Sequence, residues 1–191
     1  MGWHVGSGAR DSPPRGTSGA HLEQLARVDG AVGERSEAAP RCVAPREIEA
    51  ALDRHEANGT TNDPEYLAAT QTYYDEHVCR VVPNPPELVR TNEFMANDST
   101  VYNTMNGPNE FFCIGTLRDW SVVDRVHAIN ASTLLLSGRF DEATPATVQP
   151  FFDNIPNVRW EIFENSSHMP FIEEPERYRE VVEAFLADHD E

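Results

Sequence analysis

Residues 133–138 read Thr-Leu-Leu-Leu-Ser-Gly, a short continuous apolar run that ends in glycine. Such a run is typical of a β-strand that is buried on both faces of a parallel sheet. A second apolar run covers residues 158–163, and helices that begin at Pro145 and Pro175 follow the two strands. The order strand, helix, strand, helix predicts the α/β fold class with parallel strands. Because two strands alone do not form a stable sheet, we expect them to be the end of a larger one.

Polar side chains with catalytic potential follow each predicted strand. Asp141 lies three residues after the first strand, and His168 lies five residues after the second. Because catalytic groups gather at the carboxyl ends of parallel strands, we expect both residues at the same sheet edge. An Asp there can orient a His and stabilise its imidazolium, and Asp before His is the chain order of α/β-hydrolases. The spacing leaves a second interpretation open, in which Asp141 caps the helix near Thr144 and His168 is an ordinary surface residue.

The chain before the first strand has a helical pattern. Residues 46–57 place apolar side chains on one face, which predicts a first helix. Asn62 or Asp63 can cap a helix that has Pro64 in its first turn, and this stretch predicts the start of a second helix. A third helix is expected over residues 87–95, after a cluster of prolines. Residues 47–129 are therefore expected to be mostly helical and irregular.

The composition excludes two classes of protein. The 191 residues include 32 acidic and 15 basic side chains, for a net charge of −17, and every basic residue is arginine. Residues 1–46 carry a net charge of +1, which leaves −18 on the rest. Such acidity argues against nucleic acid and anionic membrane as partners, and no run approaches the ~20 apolar residues of a membrane span. A lysine-free, acidic chain indicates either a high-salt cytoplasm or codon bias alone.

The cysteines indicate the redox compartment. Cys42, Cys79 and Cys113 are odd in number and more than thirty residues apart. They form neither a paired disulfide framework nor a metal-ligand spacing, which predicts a reducing, cytoplasmic location and gives little support for a zinc site.

Three stretches carry motifs that occur together in one enzyme family. Residues 138–145 read Gly-Arg-Phe-Asp-Glu-Ala-Thr-Pro and residues 166–170 read Ser-Ser-His-Met-Pro. Residues 105–111 read Met-Asn-Gly-Pro-Asn-Glu-Phe and precede Ile-Gly-Thr-Leu-Arg-Asp-Trp at residues 114–120. These stretches resemble the acid motif, the histidine motif and the cap-to-core segment of the proline iminopeptidases, which are serine aminopeptidases of the α/β-hydrolase fold. The resemblance covers about three quarters of the chain, from Arg46 to the C terminus.

The resemblance implies roles for four residues. Asp141 corresponds to the acid of the catalytic triad and His168 to its general base. Glu110 and Glu142 correspond to the two glutamates that bind the free α-amino group of the substrate. The chemistry agrees, because paired carboxylates in a partly dry pocket favour a charged amine. No metal and no organic cofactor are implied.

The resemblance also implies a domain organisation. Residues 47–129 correspond to the helical cap, and residues 130–191 to the C-terminal end of the α/β-hydrolase core. Residues 1–46 are rich in Gly, Ser, Pro, Ala and Arg, show no apolar period, and are expected to be disordered because they cannot bury enough apolar surface.

The nucleophile of the family has no counterpart in this sequence. Its Gly-x-Ser-x-Gly elbow and its His-Gly-Gly-Pro oxyanion segment do not occur, and Ser7 and Ser18 lack the required spacing. Read from the second base, codons for residues 1–5 can encode Trp-Gly-Gly-Met after a serine codon, which is similar to the elbow. We therefore hypothesise that residues 1 to about 46 are an out-of-frame translation, and we expect the isolated chain to be inactive.

The expected function is that of a proline-iminopeptidase-like serine aminopeptidase acting on peptides with a free N-terminal amine, and two alternatives stay open. One is another α/β-hydrolase, an amidase or an esterase; Glu110 and Glu142 argue against an ester, which has no ammonium to bind. The other is a non-catalytic fragment that folds poorly or that pairs with another chain, because the absence of central strands exposes one edge of the strand at residues 133–138. The sequence does not determine the oligomeric state.

Overall fold

A computed structural model describes residues 45–189 of the chain. The elements in chain order are α1 Arg46–Asn58, α2 Pro64–His77, α3 Pro86–Asn97, α4 Thr100–Met105, a 3₁₀ turn Val126–Ala128, β1 Thr133–Gly138, α5 Pro145–Asn154, β2 Val158–Phe163, α6 Pro170–Glu173 and α7 Pro175–Ala187. The predictions of disorder and of a shifted reading frame concern a segment that lies, apart from residues 45 and 46, outside the described residues.

The two strands form a parallel pair, as the sequence predicts. Thr133 pairs with Val158, and the register continues to the pairing of Gly138 with Phe163. Helix α5 connects the strands and packs against both of them. Leu135 packs in a buried apolar cluster that includes Phe151 of this helix. The predicted α/β class is confirmed, with helices and a small parallel sheet.

The prediction that β1 is buried on both faces holds for one face only. Leu135 and Ser137 are buried, whereas Leu134 and Leu136 on the opposite face are half-buried. Within residues 45–189, β1 pairs only with β2, so its other edge has no strand beside it. A half-buried apolar face and a free edge are expected of a strand that lies in the interior of a larger sheet.

The helical part of the chain is built on a hairpin of α1 and α2. Gly59 ends α1 with a φ of 66°, a left-handed conformation that glycine adopts without strain. The Asp63 side chain accepts the backbone N–H of Glu65 at 2.9 Å and caps α2, as predicted. Leu52 and Tyr66 are almost fully buried between the two helices and form a second apolar cluster, separate from that of the strands.

Two further observations bear on the sequence predictions. Cys79 and Cys113 are buried free thiols, and Cys42 lies outside the described residues. Across residues 45–189, no helix combines the length and the apolar character needed to cross a lipid bilayer.

Candidate active site

Asp141 and His168 are in direct contact at the carboxyl end of the two strands. Nδ1 of His168 lies 3.0 Å from Oδ1 of Asp141, which also accepts the backbone N–H of Ala143 at 2.8 Å. Because a carboxylate accepts hydrogen bonds, the proton between the two side chains is assigned to Nδ1 of His168. Nε2 is then the ring nitrogen that remains to exchange a proton with a reactant.

The loops that carry the two residues lie against each other. The backbone N–H of Arg139 donates to the Phe163 carbonyl at 2.9 Å, and that of Phe140 donates to the Ser166 carbonyl at 3.0 Å. A Cβ on Gly138 would overlap the carbonyl oxygens of Ser166 and Ser167, so this close approach requires glycine. We call the loop that carries Asp141 the acid loop and the loop that carries His168 the base loop. Gly138, which ends the predicted strand, allows these two loops to meet.

Two glutamates also hold the base loop: Glu173, the last residue of α6, and Glu174, which follows it. Glu173 accepts hydrogen bonds from the backbone N–H and the hydroxyl of Ser167, at 2.8 and 2.7 Å. Glu174 accepts the hydroxyl of Ser166 at 2.5 Å. Ser166 and Ser167 are fully buried, so these bonds are shielded from water and fix the backbone that leads into His168.

His168 is surrounded by negative charge. Burial acts to lower its pKa, but the hydrogen bond and charge of Asp141 and the charges of Glu142 and Glu110 outweigh it, and the pKa rises to about 9. At neutral pH the ring is therefore an imidazolium paired with Asp141.

Glu110 and Glu142 lie in the same electrostatic neighbourhood. The backbone N–H of Glu110 donates to the Tyr74 hydroxyl at 3.2 Å, and its carboxylate is hydrogen-bonded to the Tyr102 phenol. Burial and the nearby charges of Glu110 and Glu142 raise the pKa of Tyr74 above its ordinary value. The structure thus brings the four site residues predicted from the sequence into one cluster, and it adds two tyrosines.

The sequence reasoning missed Tyr74, Tyr102 and His77. Tyr74 and His77 are three positions apart in α2 and share one face of that helix, which is a signal readable from the sequence. Whether that face turns towards the site depends on how α2 packs against the acid loop. At this contact, the backbone N–H of Glu142 donates to the His77 carbonyl at 3.3 Å. Local pattern does not encode this packing.

One group of side chains has the composition of a metal site. Ligand atoms of His55, Asp63 and Glu65 lie within 4.8 Å of one another among the described residues. Glu65 is 3.2 Å from Nε2 of His55 and 2.6 Å from the guanidinium of Arg54. Because Arg54 and His55 already contact the Glu65 carboxylate, the group acts as a polar cluster that links α1 to the start of α2.

Comparison with known proteins finds curated relatives that share one name. No family profile matches the chain. A curated proline iminopeptidase of Saccharolobus solfataricus is 39% identical over 142 residues, which are 74% of this chain and 46% of that protein. A proline iminopeptidase of Heyndrickxia coagulans is 34% identical over 142 residues, 74% of this chain and 49% of that protein.

Solved structures agree with the sequence relatives. The crystal structure of VinJ matches with a TM-score of 0.75 and 53% identity, and the match covers 78% of this chain and 50% of that one. The proline iminopeptidase of Mycobacterium smegmatis matches with a TM-score of 0.71 and 52% identity, over 77% of this chain and 49% of that one. The chain spans about half the length of the curated relatives that it matches. In its motifs, its fold and its relatives, this chain is similar to about half of a proline iminopeptidase of the α/β-hydrolase fold.

Proposed function

We propose that this chain supplies the acid, the base and the amine-binding residues of a serine aminopeptidase that releases N-terminal proline from peptides. The observation that carries the proposal is the 3.0 Å contact between His168 and Asp141, with Glu110 and Glu142 close enough to raise the pKa of the same imidazole. The relatives named proline iminopeptidase support the choice of substrate.

The two glutamates support a substrate with a free amine. An aminopeptidase must recognise an ammonium group, and hydrogen bonds between an ammonium and carboxylates are among the strong ones. Glu142 has a buried carboxylate oxygen, so its charge is poorly screened by water. This arrangement favours an aminopeptidase over an esterase, because an ester without an amine gains nothing from two carboxylates.

In the proposed reaction, His168 moves the protons. A serine hydroxyl attacks the carbonyl carbon of the proline residue while Nε2 of His168 takes its proton, and Asp141 stabilises the imidazolium that forms. The imidazolium then protonates the departing amine of the downstream peptide, which leaves a prolyl ester on the serine. Water hydrolyses that ester with the same ring as base, and free proline and the serine are released.

Substrate binding also changes the protonation of the base. His168 must lose its proton before it can act as a general base, and its raised pKa opposes this at neutral pH. An ammonium bound at Glu110 and Glu142 offsets the two charges that help to hold that proton. The bound amine therefore lowers the pKa of His168 towards neutrality, so that the base is activated when a substrate with a free amine is present.

We assign no nucleophile within this chain. The hydroxyls of Ser166 and Ser167, the serines next to His168, donate to glutamates, and no Gly-x-Ser-x-Gly elbow occurs in the sequence. Because a triad acts as a unit, the 191-residue chain alone should not turn over proline amides. The buried free thiols Cys79 and Cys113 support a reducing compartment such as the cytoplasm as the place of action.

A chimera tests the proposal. The part of the M. smegmatis proline iminopeptidase that precedes the matched region is joined to residues 46–191 of this chain, which is 52% identical to the segment it replaces. We expect the chimera to hydrolyse proline p-nitroanilide and the 191-residue chain alone to be inactive. The N-acetylated substrate is the matched control and should be cleaved poorly, because it lacks the ammonium.

Two outcomes contradict the proposal. One is a folded chimera that cleaves proline and N-acetylproline p-nitroanilide equally well. The other is robust activity of the 191-residue chain that disappears in His168→Ala, which shows that the chain holds its own nucleophile.

A further inference from the structure

The last turn of α2 and the residues just after it contact both catalytic loops. This segment, residues 77–80, reads His-Val-Cys-Arg and lies far from the loops in the chain. Val78 and Cys79 are buried, which anchors the segment, whereas the side chains of His77 and Arg80 reach the acid loop and the base loop. We call residues 77–80 the clamp segment.

His77 brackets Asp141. Its Nδ1 donates to the Phe140 carbonyl at 2.8 Å, and its own carbonyl accepts the backbone N–H of Glu142 at 3.3 Å. Phe140 and Glu142 are the two chain neighbours of Asp141, so both sides of the acid are tied to one residue of α2. His77 is itself buried, and its ring packs against Tyr73 with 4.7 Å between the ring centroids.

Arg80 connects the acid loop to the base loop. Its guanidinium carbon lies 3.8 Å from the centroid of the Phe140 ring, and its Nη1 donates to the Asn165 carbonyl at 3.3 Å. Its backbone N–H donates to Glu173 at 2.8 Å, and Glu173 in turn holds the backbone of Ser167. Arg80 therefore contacts Phe140 in the acid loop, Asn165 in the base loop and Glu173, which holds the base loop.

We propose that His77 and Arg80 are positioning residues that hold Asp141 and His168 in hydrogen-bonding register from the helical part of the chain. This inference rests on the proposed function of the Asp141–His168 pair and extends it to residues that do not touch the reactants. Loops need such support, because a catalytic pair functions only within narrow limits of distance and angle. A 14-residue helix whose last residue, His77, is buried offers a more rigid support than either loop.

The pKa of His168 reports the geometry of its contact with Asp141, and it can be measured without an active enzyme. The charged groups that act on its ring are Asp141 and Glu142 in the acid loop and Glu110 from the segment after α4. Among these, the hydrogen bond and charge of Asp141 are the largest that raise its pKa. Displacement of Asp141 therefore lowers the pKa of His168.

The experiment is an NMR titration of His168 in the ¹⁵N-histidine-labelled 191-residue chain, with His168→Gln used for assignment. The variant His77→Phe keeps a packed ring and removes the donor to Phe140. We expect the pKa of His168 to fall by about one unit from its value of about 9. The variant His77→Asn places an amide N–H where Nδ1 was, and we expect it to keep the pKa near that of the parent.

Arg80→Met provides an independent reading, because Arg80 is exposed and its replacement leaves the core intact. Loss of a positive charge by itself raises the pKa of a nearby histidine, whereas loss of positioning lowers it, so the two effects differ in sign. We expect the pKa to fall. Arg90→Met, which removes the same charge from the exposed surface of α3, is the matched control and should cause no shift.

A parent-like pKa of His168 in folded His77→Phe, or an unchanged or raised pKa in Arg80→Met, overturns the proposal. Should His77→Phe fail to fold by circular dichroism, Arg80→Met decides alone. The titration requires no catalysis, so the chimera experiments that test the proposed function can fail without affecting this test.

Discussion

The protonation state of His168 is the residue-scale property with the widest consequences. Three carboxylates, on Asp141, Glu142 and Glu110, act on one imidazole that is shielded from water. Their combined effect exceeds the cost of burying a charge, so the folded chain holds a proton that an exposed histidine would release near pH 6.5. In the proposed function, the acids that bind the substrate amine therefore also control when the base is available.

This raised pKa links stability to pH. Because the folded-state pKa is about 9 and the ordinary value is 6.5, the stabilisation from His168 is complete below pH 6.5 and is lost as the pH rises through 9. We expect the free energy of unfolding to fall by about 3 kcal/mol over this window. Urea denaturation of the wild-type chain and of His168→Gln measures it, since other titrating groups are common to both. A difference between the two that does not change with pH contradicts the prediction.

The amine-binding role proposed for Glu110 and Glu142 is testable one carboxylate at a time. Glu110→Gln and Glu142→Gln in the chimera keep the shape of each side chain and remove its charge. We expect kcat/KM for proline p-nitroanilide to fall by about 10- to 100-fold, mainly through KM, because each variant weakens a charge-assisted hydrogen bond to the ammonium. Hydrolysis of the N-acetylated substrate should hardly change. An equal loss on both substrates would assign the glutamates a structural role instead.

At the scale of elements, the sequence predicts what local pattern controls. The strands begin and end where their apolar runs do, and α2 begins at the Asp63–Pro64 pair, because burial and capping act over a few residues. The short helices α4 and α6 and the 3₁₀ turn have too few residues to show an apolar period, so the sequence does not predict them individually.

The candidate site likewise contains residues that the sequence predicts and residues that it does not. Asp141 and His168 are predictable because a strand end is a known place for catalytic groups, and the family motifs add Glu110 and Glu142. The positions of His77 and Arg80 depend on how the end of α2 packs against loops more than sixty residues later in the chain, and that of Tyr74 depends on its contact with Glu110. No local spacing contains that information, so these residues emerge only from the folded chain.

Gly138 tests the close contact between the acid loop and the base loop. Its added Cβ in Gly138→Ala would overlap backbone oxygens of Ser166 and Ser167, which cannot rotate away as a side chain can. We expect a loss of about 2 kcal/mol in the free energy of unfolding and a lowered pKa of His168, because the loops must separate. Urea denaturation and the His168 titration measure the two effects.

Gly59 is the matched control for this substitution. It has a φ of 66° and no atoms near its would-be Cβ, so Gly59→Ala costs about 1 kcal/mol of backbone strain and leaves the His168 titration unchanged. A Gly138→Ala chain with the stability and the titration of the parent contradicts the described loop contact.

At the scale of the whole molecule, the described residues carry features of a part of a larger fold. The curated relatives are about twice as long as the matched region, and β1 has one edge without a partner among residues 45–189. Large apolar side chains lie at the surface of this part of the chain, with Phe94 80% and Val101 71% exposed. These surfaces and the free edge are suited to contact with further polypeptide.

The net charge of −17 makes the folded state sensitive to salt. Self-repulsion opposes compaction, and screening shortens its range from about 10 Å at 0.1 M salt to about 3 Å at 1 M. We expect the helical signal in circular dichroism to rise between low and molar sodium chloride, and to rise equally in potassium chloride because screening does not depend on the cation. A flat response leaves codon bias as the explanation of the acidic, lysine-free composition.

The turnover of proline p-nitroanilide by the chimera, with and without His168, measures whether His168 and Asp141 carry out the chemistry. If His168 and Asp141 act as the base and acid, His168→Ala lowers kcat by about a thousandfold or more, and Asp141→Asn causes a loss of similar order. Both variants should keep the circular dichroism spectrum of the parent chimera. A folded His168→Ala chimera that retains the parental kcat would show that the pair at the carboxyl end of β1 and β2 does not carry out the chemistry.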